Sequence, residues 1–157
     1  MGDLRVRRLL FRSQEGLTLI ELIIVLAIIA IIGAIIVPNF LVTTDRARLK
    51  SDIQSAKTIQ SAVALYHAEQ GESLDSFNIE NILTKLHATG YIKETKADET
   101  QTPGAKWVYE VPPGSSAGAE KSILVDISKG VDARITNEIY SNLTADEKKW
   151  VKTGAGP

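Results

Sequence analysis

Apolar and polar positions divide this chain sharply. From Leu17 to Val37 a run of about twenty-one residues carries one charge, Glu21, and no Lys, Arg, Asn or Gln. As a helix rising about 1.5 Å per residue, the run is roughly 31 Å long, enough to cross a bilayer core of about 30 Å. Beyond Pro38 the pattern turns amphipathic. Leu49, Ile53, Ala56, Ile59, Val63 and Tyr66 recur every three or four residues, with Arg46, Arg48, Lys50, Asp52, Gln54, Lys57 and Gln60 between them. That spacing predicts a buried stripe and an opposite polar face. Gly71 is the expected stop, so one long helix is predicted over residues 17–70. Pro38 cannot donate to the carbonyl of Ala34, and Gly33 weakens the same region, so this is where the helix bends or opens most easily. Ala27, Ala30 and Ala34 are small residues at helical spacing, which helps helices approach one another.

The remainder, residues 71–157, reads as a small α+β head. Asn78 caps a short helix to about Ala88 that carries Ile79, Ile82, Leu83 and Leu86 on one face, and Gly90 ends it. Residues 93–105 form a polar surface loop. Lys106–Val111 and Ser122–Ile127 are β-prone and pair as a hairpin across the Pro112-Pro113-Gly114 break. A third strand is expected near residues 91–97. Val131, Ile135, Ile139 and Leu143 predict a helix capped by Asp132. The pattern Thr144-Ala145-Asp146-Glu147 is a capping box, opening a last helix to about Lys152.

Glu21 is the costly residue of the apolar run. A carboxylate inside a membrane helix costs up to about 2.5–3.5 kcal/mol on insertion scales, so it is a functional candidate by default. Ahead of the run, residues 1–16 form a leader with Arg5, Arg7, Arg8 and Arg12 against Asp3 and Glu15. A basic segment before a span keeps to the cytoplasm, which places the N-terminus inside and residue 39 onward outside. A cut between Gly16 and Leu17 would create an ammonium one helical turn before Glu21. Between staggered neighbouring helices, that ammonium and the carboxylate would offset each other's desolvation.

The residues Gly16-Leu17-Thr18-Leu19-Ile20-Glu21, the apolar run and Pro38-Asn39-Phe40 resemble the N-terminal signature of type IV pilins and of the related pseudopilins of type II secretion and DNA-uptake machines. The resemblance covers about residues 12–42. It implies cleavage after Gly16 by a prepilin peptidase and N-methylation of Leu17, although Leu17 stands where the family more often has Phe. It implies a register role for Glu21 and melting of the helix near Gly33 and Pro38 on assembly. The implied partners are copies of the chain itself in a helical homopolymer, an inner-membrane platform protein, indirectly an assembly ATPase, and membrane lipid before assembly. The domains that follow are a leader at 1–16, a transmembrane and filament-core helix at 17–37, its amphipathic continuation at 38–70, and the exterior head at 71–157. Localisation follows too: a single-pass membrane protein with the head outside the cytoplasm, later part of a surface or envelope filament.

Other readings of the N-terminus fit less well. The apolar run exceeds a secretory signal's, no A-x-A site follows it, and no Cys is present for acylation. A non-polymerising, membrane-anchored binding module is the alternative from another class, and a pseudopilin is the alternative within the family.

Composition adds bounds. The chain has 157 residues, net charge −1, no Cys and two His, His67 and His87. The charge gives no bulk attraction to nucleic acid, so no specific nucleic-acid binding is predicted. Without Cys there is no disulfide framework, and the terminal disulfide loop of many type IV pilins cannot form. No catalytic constellation, cofactor motif or metal set stands out, so the reading is a non-enzyme. Asp126, Asp132 and Glu138 lack the spacing of a calcium loop and read as caps or solvated positions. Asn142-Leu143-Thr144 fits a glycosylation pattern, yet Thr144 is better read as a cap. Lys148, Lys149 and Lys152 read as a solvated, dipole-matched helix end.

Overall fold

The computed structural model describes residues 18–93, 99–116 and 118–154. Two compact units are present, residues 1–38 and 39–157. Helix α1, Leu19–Gln70, has residues in both.

In the first unit, α1 starts on a reciprocal cap. The backbone N–H and the hydroxyl of Thr18 both donate to Glu21 Oε2 at 2.8 Å, and the Glu21 N–H donates back to Thr18 Oγ1 at 3.3 Å. Leu22 N–H closes the first turn on the Thr18 carbonyl at 3.2 Å. The described apolar side chains that follow are exposed, Ile20 for instance at 65%. This is the one helix among the described residues long and apolar enough to cross a membrane.

The second unit is built on the α1 residues after Pro38. All six stripe residues, Leu49, Ile53, Ala56, Ile59, Val63 and Tyr66, are buried in its core. Gly71 ends the helix with φ +68°, a left-handed conformation that glycine adopts without a Cβ clash. Helix α2, Ile79–Ala88, is capped by Asn78, whose Oδ1 accepts from the Asn81 N–H at 2.9 Å. Its Ile82, Leu83 and Leu86 enter the same core.

Strands β1, Lys106–Glu110, and β2, Ser122–Asp126, form the predicted antiparallel hairpin, with Val108 opposite Leu124. The third strand differs from expectation. It is β3, Val151–Lys152, parallel to β2, giving the order β1-β2-β3. Residues 91–93 form no strand, 91 and 92 being bends, and 94–98 lie outside the described residues. Tyr91 turns back on α2, donating its N–H to the Leu86 carbonyl at 2.9 Å, with its ring edge-on to Tyr66. The last helix is correspondingly short: α3 is Ala145–Lys148, and the chain then extends so that Val151 is buried beside β2. A two-stranded hairpin leaves an open edge on β2 and is marginal alone. Val125 and Ile127 N–H donate across that edge to the Trp150 and Lys152 carbonyls at 2.9 Å. Ile123, Leu124 and Val125 are all buried, on both faces of the central strand.

The helix predicted from Val131, Ile135, Ile139 and Leu143 is largely a π-helix, Ile135–Ile139, with the Tyr140 N–H on the Ile135 carbonyl at 2.9 Å. A strict four-residue repeat drifts around an α-helix of 3.6 residues per turn. The wider turn keeps Ile135 and Ile139 together in the core. Asp132 accepts the Arg134 N–H at 2.8 Å, as expected of a cap.

Asp52 also departs from expectation: the spacing puts it on the polar face of α1, yet it is 1% exposed. Its two oxygens accept the Gln101 and Thr102 N–H groups at 2.7 and 2.8 Å. The 99–105 loop has no ladder of its own, so α1 supplies the acceptors. The loop is also held against Gly130, whose carbonyl a Cβ at Gly104 would strike.

Candidate assembly surface and the head that flanks it

Glu21 occupies the third position of α1, where a carboxylate also meets the positive end of the helix dipole. The Thr18 contacts use Oε2. The Thr-x-x-Glu signature of this cap is plain in the sequence and is the same pattern that marks Thr144 and Glu147, yet sequence reasoning assigned Glu21 only an intermolecular role. Gly16 and Leu17, the expected processing site, lie outside the described residues. Gly33 is half-exposed, and a Cβ there would meet nothing within 4 Å. Pro38 falls within the bounds of α1 and is the last residue of the first unit. Just after it, Thr43 and Thr44 hydroxyls donate to the Asn39 and Phe40 carbonyls at 2.9 Å. Such back-bonding on the preceding turn slightly destabilises a helix and often bends it. It adds to the Gly33 and Pro38 signals for a soft region.

In the second unit, Gln60 Oε1 accepts the Ile123 N–H at 2.9 Å, tying α1 to β2. Helix α3 is pinned to α1 by Lys50–Glu147 and Lys57–Asp146 pairs, both 2.9 Å. The Lys50 ammonium and then the Thr144 N–H hold the Glu147 carboxyl down at about 2. The expected capping box of Thr144 and Glu147 is present, which occupies the Thr144 hydroxyl of the glycosylation pattern. Asp126 accepts from the Ser128 N–H and Asp132 pairs with Arg134, so each is used locally. Lys152 pairs with Glu110 at 2.5 Å, and Lys148 donates to the Ser141 carbonyl at 3.0 Å. His67 and His87 are exposed. Among the described residues, no three His, Cys, Asp or Glu side chains gather as a metal group.

An exposed apolar helix with one capped carboxylate near its start is thus followed along the chain by a small α+β head. Residues 11–37 match the family model of the prokaryotic N-terminal methylation motif. The chain is 45% identical over 67 residues to prepilin peptidase-dependent protein A of Clostridium perfringens, covering 43% of this chain and 48% of that protein. It is 34% identical over 86 residues to the type IV major pilin protein PilE of Neisseria gonorrhoeae, covering 54% and 52%. Similarity to the type IV major fimbrial protein FimA of Dichelobacter nodosus is lower, 29% over 140 residues, but covers 87% and 86%. The chain spans about half the length of the first curated relatives that it matches. No solved structure matches. The chain is thus similar to type IV pilins and fimbrial proteins and carries the methylation motif at residues 11–37.

Proposed function

We propose that this protein is a structural, non-enzymatic subunit of a type IV pilus filament. The observation that carries the reading is the exposed apolar surface of α1 broken by a single carboxylate at its third position. Isolated, such a surface needs lipid; beside copies of itself it makes a core. Residues 1–16 are a leader removed by a prepilin peptidase, and Leu17 becomes the methylated N-terminus. Residues 17–37 cross the membrane once, with the N-terminus cytoplasmic, and later line the filament axis. Residues 38–70 carry the head, and 71–157 form it. A platform protein and, behind it, an assembly ATPase drive insertion into the fibre.

Glu21 acts twice in this scheme. In the membrane-stored subunit the Thr18 cap satisfies the carboxylate locally. During assembly, the ammonium of an incoming Leu17 pairs with the Glu21 of a neighbour and fixes the axial stagger. Removing one partner of a buried pair costs about 3–5 kcal/mol, which is enough to discriminate registers. Gly33 and Pro38, with the back-bonded Thr43 and Thr44, let the helix open as subunits pack. The test is Glu21→Leu in the full precursor. The variant should insert and accumulate in the membrane but yield almost no filaments by electron microscopy. Wild-type numbers of filaments from Glu21→Leu would overturn the register role.

A further inference from the structure

A cleft of about 530 Å³ opens in the second unit between α2, the 99–105 loop and the start of β1. Ile79, Leu83, Pro103 and Trp107 give it apolar walls. Two polar atoms of lining residues have no hydrogen-bond partner: Thr102 Oγ1 and Trp107 Nε1, in residues 1% and 6% exposed. Buried polar groups in folded chains are nearly always paired, and an indole N–H can only donate. Both atoms lie beneath the cleft surface, so an occupant meets the walls and must bring an apolar body.

The chain carries such a body at the other end of β1. Four strand steps of about 3.3 Å separate Lys106 from Glu110, roughly 13 Å, before the chain enters Val111-Pro112-Pro113-Gly114. Val111 and Pro113 are exposed. The tip is preformed: the Ser115 N–H donates to the Pro112 carbonyl at 3.2 Å, and Gly114 has φ +79°, the Pro-Gly signature of a type II turn. Neither proline has an N–H, so burying them strands no donor. A rigid tip also loses little conformational freedom on docking. Lys149 lines the same shallow groove as Pro112 and Pro113. Its neighbour Asp146 is paired with Lys57, and Lys149 itself makes no salt bridge among the described residues. The cleft rim carries the exposed Glu80 and Glu99, partly offset by Lys106.

The geometry points to a head-to-tail contact between copies of this chain. The Val111–Gly114 tip of one copy seats in the cleft beside Trp107 of the next, and Lys149 faces the Glu80 and Glu99 rim. Plug and socket lie at opposite ends of one strand, so the contact is heterologous. Repeated, it extends an open filament. The contact rests on the polymerising reading above and adds to it a specific surface between heads.

The absence of native Cys makes the test clean. The full chain carrying Thr84→Cys and Ser115→Cys is assembled, sheared, oxidised and run under denaturing, non-reducing conditions. A ladder of dimers, trimers and higher species is expected, with each single-cysteine variant remaining monomeric. Adding Lys149→Glu should cut the ladder several-fold, and Glu80→Lys placed on top of it should restore most of the loss. Filaments whose double variant stays monomeric overturn the contact, as do cross-links from either single variant or a product that stops at dimers. Should the first pair prevent assembly, Glu80→Cys with Lys149→Cys gives the same readout, and monomers from those filaments overturn the contact equally. If unmodified protein forms no filaments, the polymerising reading itself falls and takes the contact with it. Monomers whose cleft instead binds a free sugar or peptide would assign the cleft to a soluble ligand and reject the contact.

Discussion

Asp52→Ala should destabilise the second unit severely, although nothing about an Asp on an exposed-looking helix face suggests it. The carboxylate accepts two backbone N–H groups, at 2.7 and 2.8 Å, from a loop 49 and 50 residues away in sequence. Each hydrogen bond to a charged group contributes about 1.5–3 kcal/mol. Gln101 is exposed, so water reaches its N–H after the change, whereas Thr102 is buried and its N–H is left unpaired. The loss is therefore about 3 kcal/mol, near the lower end of the two-bond sum. For a unit of roughly 120 residues, each kcal/mol moves Tm by about 3–5 °C, so a fall of about 10–15 °C is expected. Asp52→Asn keeps one acceptor but turns an amide donor toward the second N–H, so it should recover little. The assay is thermal unfolding of the full chain in detergent, followed by fluorescence of the buried Trp107. Hydrogen exchange at Thr102 should rise before global unfolding. A Tm change below about 3 °C for Asp52→Ala would refute the reasoning, because the two bonds would then be replaced at no cost.

Two further predictions concern the head. Glu147 titrates near 2 when folded, against its ordinary value of 4.5. A depressed carboxyl contributes stability above its unfolded value and loses it as pH falls through the folded one, so Tm should drop between about pH 4.5 and 2, and Glu147→Gln should flatten that drop. Gly104→Ala forces a Cβ into the Gly130 carbonyl at φ +82° and should abolish cooperative unfolding or lower Tm by more than 10 °C, about 2–3 kcal/mol or more. A neutral Gly104→Ala in the same melt would show the loop is free to move away.

Much of this architecture was legible because its causes are local. The apolar run, the Leu49 to Tyr66 stripe, the Asn78 cap, the β1–β2 hairpin and the Thr144 box each follow from residue type and spacing within a few turns. What escaped has non-local causes. Asp52 is buried because a distant loop needs acceptors. Val151 becomes a strand because β2 has an open edge, against the local helical pattern after Thr144. The π-helix follows from the need to hold Ile135 and Ile139 in one core. The candidate site divides in the same way. Glu21 stands out by its charge in an apolar run, whereas its Thr18 cap, though written in the sequence, was masked by the intermolecular role that the resemblance offered. The Trp107 cleft had no sequence signal, since only the folded chain leaves that indole N–H without an acceptor.

The central claim is that this chain is cut after Gly16 and assembled as a filament subunit. Mass spectrometry of its N-terminus in material sheared from intact cells tests that claim most directly. The account predicts a chain beginning at a methylated Leu17 in the sheared fibres. An intact Met1 on all accumulated protein, with none of it in the sheared fraction, would contradict the account and leave a plain membrane anchor.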